Sequence, residues 1–209
     1  MTRAFIPITL WPDYPEDFEH KKIALVLFTL PADTSRANAR LLAREVLRKL
    51  ISHLLDLPLS SITLLEGTHG PRLAGLNHPI LISLSYAGDK VLIGLCREQA
   101  IGVDIVKIEN FPEIAAMSRL YLPKSKHLLK NTPEPLTSIF ALAWAEMESC
   151  CKALGLPLAE IDESREESYA KCELANCTQI DGYRIAVACF LAGRNKEPTI
   201  DALFRLFGR

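Results

Sequence analysis

Two kinds of apolar segment alternate along this chain, and together they restrict it to a mixed fold of helices and short strands. Ile23 to Leu30 (IALVLFTL) is an apolar run of strand length closed by Pro31, as expected of a buried strand. Asp33, Thr34 and Ser35 then offer helix caps. From Arg36 to Leu55 the apolar residues Ala43, Leu47, Leu50 and Leu54 recur at helical spacing and share one face. Arg40, Arg44 and Arg48 lie four apart and form a basic stripe beside it, which reads either as the solvated side of a long helix or as a place for an anion.

Strand-length runs follow at Ser61 to Leu65, Ile80 to Leu84 and Val91 to Cys96, with turns expected at Gly70, Gly75 and Ala87-Gly88-Asp89. The last two runs make a hairpin. Gln99 and Ala100 lead into a further strand, Ile101 to Val106, interrupted by the carboxylate of Asp104. Asn110 to Lys130 reads as helical pieces broken at Pro112 and Pro123, and Thr132-Pro133-Glu134-Pro135 opens a second long helix. Leu136, Phe140, Ala143, Met147 and Cys151 define the buried face of that helix. Trp144, Glu148 and Lys152 run along a line beside it, and Gly155 followed by Pro157 ends it. Beyond a polar stretch from Asp162 to Lys171, Cys172 to Ile180 and Tyr183 to Leu191 read as a strand pair. Each half thus runs helix first and then paired strands. The expectation is an α+β fold of two pseudo-symmetric lobes, residues 1–100 and 101–209, joined near Gln99 to Gly102.

At 209 residues and 49% hydrophobic the chain has the material for one sizeable core or two small ones. The formal net charge of -1 creates no field that would favour nucleic acid or an anionic membrane, so an anionic ligand needs a local basic cluster. No stretch reaches the roughly 18 apolar residues that span a bilayer, and the first residues lack a basic segment followed by an apolar run. A cytoplasmic monomer, with neither nucleic acid nor membrane as partner, is the expectation. The six cysteines form no CxxC pair and have no histidine at zinc-ligand spacing. They read as reduced and structural; the adjacent Cys150 and Cys151 are either buried apolar residues or, less in keeping with their surroundings, a nucleophile.

The chemistry lies in three residues. An acid within a strand is costly to bury unless it is paired or bound to a metal, and Asp104 occupies such a position, as does Glu148 on the flank of a buried helical face. Taken alone, each reads as a salt-bridge partner. Two carboxylates from different elements, with Lys152 one helical turn past the second, are what a magnesium and pyrophosphate site needs: a few hard oxygens for the metal and an ammonium for the remaining charge. No G-x-G-x-x-G, P-loop, G-x-S-x-G or H-E-x-x-H motif is present.

Ile101-Gly102-Val103-Asp104 and the segment Trp144 to Gly155 (WAEMESCCKALG) resemble the (I/V)G(I/V)D and W-x-x-K-E-(A/S)-x-x-K motifs of the surfactin-type phosphopantetheinyl transferases, which are akin to holo-acyl-carrier-protein synthase. Arg40-Leu41-Leu42, His69-Gly70-Pro71-Arg72 and Ser83-Leu84-Ser85-Tyr86-Ala87 are similar to upstream segments of that family, so the resemblance covers roughly residues 36 to 156 plus the closing strand pair. It implies the transferase fold and the magnesium-dependent transfer of 4'-phosphopantetheine from coenzyme A to a serine of an acyl or peptidyl carrier protein. By the resemblance Asp104 and Glu148 bind magnesium, Glu148 helps deprotonate the incoming serine, and Lys152 holds the pyrophosphate. Arg40, Arg72, Ser85 and Tyr86 fall around the 3'-phosphate and adenine. The chain departs from the family's pattern at Val106 (an acid), Met147 (a lysine), Tyr86 (a histidine) and near Ser125 (an acid). Those departures keep open a weakened homologue that binds coenzyme A or a carrier without efficient transfer, and an interaction module in which Asp104 and Glu148 only pair with Lys152 or an arginine. Lys124, Lys126, His127 and Lys130 form the densest basic cluster after Asp104, either a surface for an acidic carrier or a solvated helix.

Overall fold

The computed structural model describes residues 6–16, 18, 22–67, 70–75, 80–123 and 133–190, apart from the side chains at 176 and 177. Its strands are β1 (Ile8–Leu10), β2 (Ile23–Thr29), β3 (Thr63–Gly67), β4 (Gly70–Ala74), β5 (Leu81–Ala87), β6 (Lys90–Cys96), β7 (Ile101–Lys107), β8 (Cys172–Ile180) and β9 (Tyr183–Phe190). Its helices are α1 (Arg36–Leu54), α2 (Ile114–Tyr121), α3 (Leu136–Leu154) and α4 (Glu163–Tyr169). The fold is α+β, as expected.

The first sheet has the order β1-β2-β6-β5, antiparallel except for the parallel β1-β2 edge, and the second has the order β7-β9-β8, antiparallel throughout. A separate hairpin pairs β3 with β4. In β2, alternate residues go to opposite cores: Ala24, Val26 and Phe28 meet Ala43, Leu47, Leu50 and Ile51 of α1, while Leu25 and Leu27 meet Val103, Ile105, Ile185 and Val187 of the second sheet. Both faces are covered, which is why β2 reads as a continuous apolar run and not as an alternation. On the far side of the second sheet, α3 buries Phe140, Ala143, Met147, Cys150, Cys151 and Ala153 in a third cluster with Ala188. The layers run helix, sheet, sheet, helix, and the middle cluster joins the two sheets.

Three expectations change. The two long helices are each preceded by a strand that is integral to a sheet, β2 before α1 and β7 before α3, so neither half starts at its helix. Gly70, expected in a turn, opens β4, which reaches Ala74 before Gly75 turns the chain at a φ of 75°. Leu136, expected on the buried face of α3, is 50% exposed, because that face begins further along, at Ser138 and Phe140. The hairpin β5-β6 forms as expected, with β5 running on to Ala87 so that Ser85 and Tyr86 stand within the strand. No helix among the described residues is long and apolar enough to cross a membrane.

Candidate functional site

The site begins with a missing side chain. A Cβ on Gly102 would lie 1.8 Å from the carbonyl oxygen of Ser149 and 2.6 Å from the amide nitrogen of Ala153, so only glycine lets α3 lie directly on β7. Ala186 and Ala188, opposite Asp104 and Gly102 on β9, carry only a methyl group each. This close approach carries the last turns of α3 to within side-chain reach of Asp104, which shares the α3-facing side of β7 with Gly102.

Asp104 is only 3% exposed. Its Oδ1 accepts from Ser85 Oγ at 2.6 Å and from Lys152 Nζ at 2.6 Å. Lys152 Nζ also donates to the carbonyl of Val103 at 3.0 Å and stands 3.9 Å from Glu148 Oε2. The other oxygen of Glu148, Oε1, accepts from the indole Nε1 of Trp144 at 2.8 Å. The ammonium thus sits between two carboxylates from two elements. Burial pushes the Asp104 carboxyl up; the Lys152 ammonium pulls it down, the Glu148 charge adds to the rise, and the result is about 6.

Behind Asp104, β5 closes the open edge of β7 with side chains in place of a ladder. Ser83 Oγ accepts the Val103 N–H at 3.0 Å and Ser85 Oγ accepts the Ile105 N–H at 3.3 Å. Ser83 was missed in the sequence, although two serines at strand spacing are the signal that could have found it.

The other expected residues form a separate group. Tyr86 follows Ser85 directly and so points to the opposite face of β5, where it is 40% exposed and lies near the charges of Arg40 and Arg44. Burial pushes its phenol up against the pull of those arginines. Within the basic stripe the three arginines differ. Arg44 makes a two-pronged pair with Glu66, at 2.9 and 2.7 Å, and Arg48 donates to the carbonyls of Ile62 and Leu59. The exposed Arg40 side chain has no hydrogen-bond or ion-pair partner among the described residues. Arg72, exposed on β4 and opposite Leu65, lies across Gly67, where its Nε would be 2.7 Å from an added Cβ. His69, Ser125 and the cluster Lys124, Lys126, His127 and Lys130 lie outside the described residues.

Met147 is in the core, with the thiol of Cys151 3.8 Å from its sulfur, and Val106 is half-buried opposite Arg184 on β9. Arg184 is itself held by Glu134 and Ser138. The described cysteines are free, and Cys150 and Cys151 are buried. The Cys150 thiol is raised by its hydrogen bond to Cys172 and by burial, and burial pushes Cys151 up, so neither is an activated nucleophile. No group of three or more His, Cys, Asp or Glu side chains among the described residues could hold a metal ion. The donor set that does exist is two carboxylates, which suits magnesium, since that ion commonly takes one or two protein carboxylates and completes its shell with phosphate oxygens and water.

Residues 100–189, from just before β7 to the end of β9, match the family model described as the 4'-phosphopantetheinyl transferase superfamily. A search of curated proteins returned no match to the chain.

Proposed function

We propose that this protein transfers the 4'-phosphopantetheine group of coenzyme A to a serine of an acyl or peptidyl carrier protein, with magnesium held by Asp104 and Glu148. The observation that carries the reading is the convergence of Asp104, Glu148 and Lys152 from β7 and α3, inside the segment that matches the transferase superfamily. The surfactin type, the use of magnesium and the carrier all belong to the proposal.

Bound magnesium would offset the charge that develops on the phosphate oxygens as the bridging bond breaks. Lys152 supplies the remaining positive charge, and its four-carbon stem lets the ammonium leave Asp104 for a pyrophosphate oxygen. Glu148, about 29% exposed at its side chain, faces the solvent side and accepts the proton of the incoming serine. The serine Oγ bonds to the β-phosphorus of coenzyme A, the bond from that phosphorus to the bridging oxygen breaks, and adenosine 3',5'-bisphosphate leaves. Arg40, Arg72 and Tyr86 then belong to the nucleotide end, outside the metal site. Two equivalent lobes, 1–100 and 101–209, fit this reading. The first has β2, α1 and, after the separate β3-β4 hairpin, the hairpin β5-β6; the second has β7, α3 and, after α4, the hairpin β8-β9; β6 pairs with β2 as β9 pairs with β7.

One observation favours a second reading, binding without efficient transfer: Val106 leaves the shell one acid short while Lys152 already engages Asp104. Incubation with coenzyme A, magnesium and several apo carrier proteins, read by intact mass, separates the two. A gain of one phosphopantetheine on a carrier, lost in Asp104→Ala and Glu148→Ala variants that melt as cooperatively as the parent, is the expected result. No gain on any carrier, with coenzyme A still bound, leaves the second reading standing.

A further inference from the structure

We infer that Ser85 and Trp144 are positioning residues that fix the carboxylates of Asp104 and Glu148, one each; the inference rests on the magnesium reading above. Ser85 is 5% exposed, and its hydroxyl has one proton to give. That proton goes to Asp104 Oδ1, an acceptor at 2.6 Å, while Oγ accepts from the Ile105 N–H. Both hydrogen-bonding functions of Ser85 are therefore spent on β7. Reaching a nucleotide phosphate would mean giving them up, so the hydroxyl serves the carboxylate and not coenzyme A.

Trp144 does the same for the other acid. Its indole can only donate, and Nε1 lies 2.8 Å from Glu148 Oε1, one helical turn on. The ring is wedged between Phe140, with centroids 5.6 Å apart, and Tyr121 of α2, 5.7 Å away and edge-on. The N–H is thus aimed by packing. Released from it, Glu148 would be free to close on Lys152, now 3.9 Å away, and form an ordinary i,i+4 ion pair.

Both donors are neutral. An arginine in either place would orient the carboxylate equally well, but its charge would compete with a cation, whereas a hydroxyl and an indole hold the oxygen without doing so. Orientation matters more here because Val106 removes an acid from the same face of β7 and leaves two protein carboxylates.

The test uses manganese as the probe for magnesium, with free ion read by its paramagnetic resonance signal in the presence of coenzyme A. Relative to the full-length parent, Ser85→Ala and Trp144→Phe should each weaken manganese binding by about 10- to 100-fold. They should raise the magnesium needed for half-maximal transfer by a similar factor. The KM for coenzyme A at saturating magnesium should stay the same, and Ser85→Thr should restore the parent values. If Ser85→Ala melts below the assay temperature, Ser85→Cys, a weaker donor of similar size, should show the same loss. Unchanged manganese affinity in folded Ser85→Ala and Trp144→Phe overturns the inference alone. Weaker binding of coenzyme A but not of dephospho-coenzyme A in Ser85→Ala overturns it in favour of a phosphate contact. A parent that binds no manganese with coenzyme A overturns both the inference and the magnesium reading.

Discussion

Burial holds the Asp104 carboxyl at about 6 against an ordinary value of 3.8, even with the Lys152 ammonium beside it. Between those values the folded chain binds a proton that the unfolded chain has already released, so this residue's contribution to stability is full below about pH 4 and is lost as pH rises through 6. At neutral pH the native state carries that cost, roughly 2 to 3 kcal/mol for a rise of this size. Asp104→Asn should therefore melt several degrees above the parent at pH 7.5, and the gap should close toward pH 4 while transfer is abolished. A variant that melts lower than the parent at pH 7.5 would mean that the ion pair with Lys152 outweighs desolvation. An acid retained at a cost to the fold is the expected mark of a functional residue. Two residues on, Val106 shares the α3-facing side of β7 and lies half-buried opposite Arg184. Val106→Asp should lower the magnesium concentration needed for half-maximal transfer, and the gain should vanish when Glu148→Ala is added. Should magnesium dependence stay put in a folded Val106→Asp, the new acid has paired with Arg184 and residue 106 does not share the proposed metal site.

At the scale of elements, everything about the site depends on how closely α3 lies on β7, and Gly102 sets that distance. A methyl group there would meet backbone atoms of Ser149 and Ala153, which a rotamer change cannot relieve. Gly102→Ala should cost at least about 3 kcal/mol in urea unfolding, at the upper end of overpacking effects, and should also raise the magnesium requirement, because moving α3 outward separates Lys152 and Glu148 from Asp104. A loss of stability with magnesium dependence unchanged would show that the site adjusts to the shift. Helix α3 was legible in the sequence because its apolar period, its closing Gly155 in the left-handed region at φ 64° and the line Trp144, Glu148, Lys152 all agree. Asp104 stood out for a similar reason, as a charge within an apolar strand. β4 was hidden by Gly70, which reads as a turn residue yet pairs with Gly67, as the next residue, Pro71, pairs with Glu66. The i, i+2 spacing of Ser83 and Ser85 marks them as sharing one face of β5, but what that face meets was out of reach, because it depends on which strand edge lies beside β5. Tyr86 is placed with Ser85 by the resemblance, whereas strand geometry sends the two to opposite faces.

Across the whole molecule, the matched segment starts at residue 100, but the structures that complete it lie before it. Val103, Ile105, Ile185 and Val187 are buried against Leu25, Leu27 and Leu92 of the first sheet, and Gly94 of β6 admits Val103 so closely that an added Cβ would lie 2.4 Å from its Cγ1. Ser83 and Ser85 close the edge of β7, and the Tyr183 hydroxyl donates to Asp89 at 2.8 Å across the same seam. Separating the halves would expose the middle cluster on both, a contiguous apolar face of the kind that stable monomers do not leave in water. The chain should then unfold in urea as one transition, with near-ultraviolet dichroism, which reports on packed aromatic side chains throughout, and far-ultraviolet dichroism giving the same midpoint. Residues 101–209 expressed alone should lack a cooperative transition and should bind neither manganese nor coenzyme A, because Asp104 has lost Ser85 and β7 its closed edge. A 101–209 fragment that melts cooperatively would show that the first sheet is an attachment to a self-sufficient half, and that Ser85 is not needed to build the proposed site.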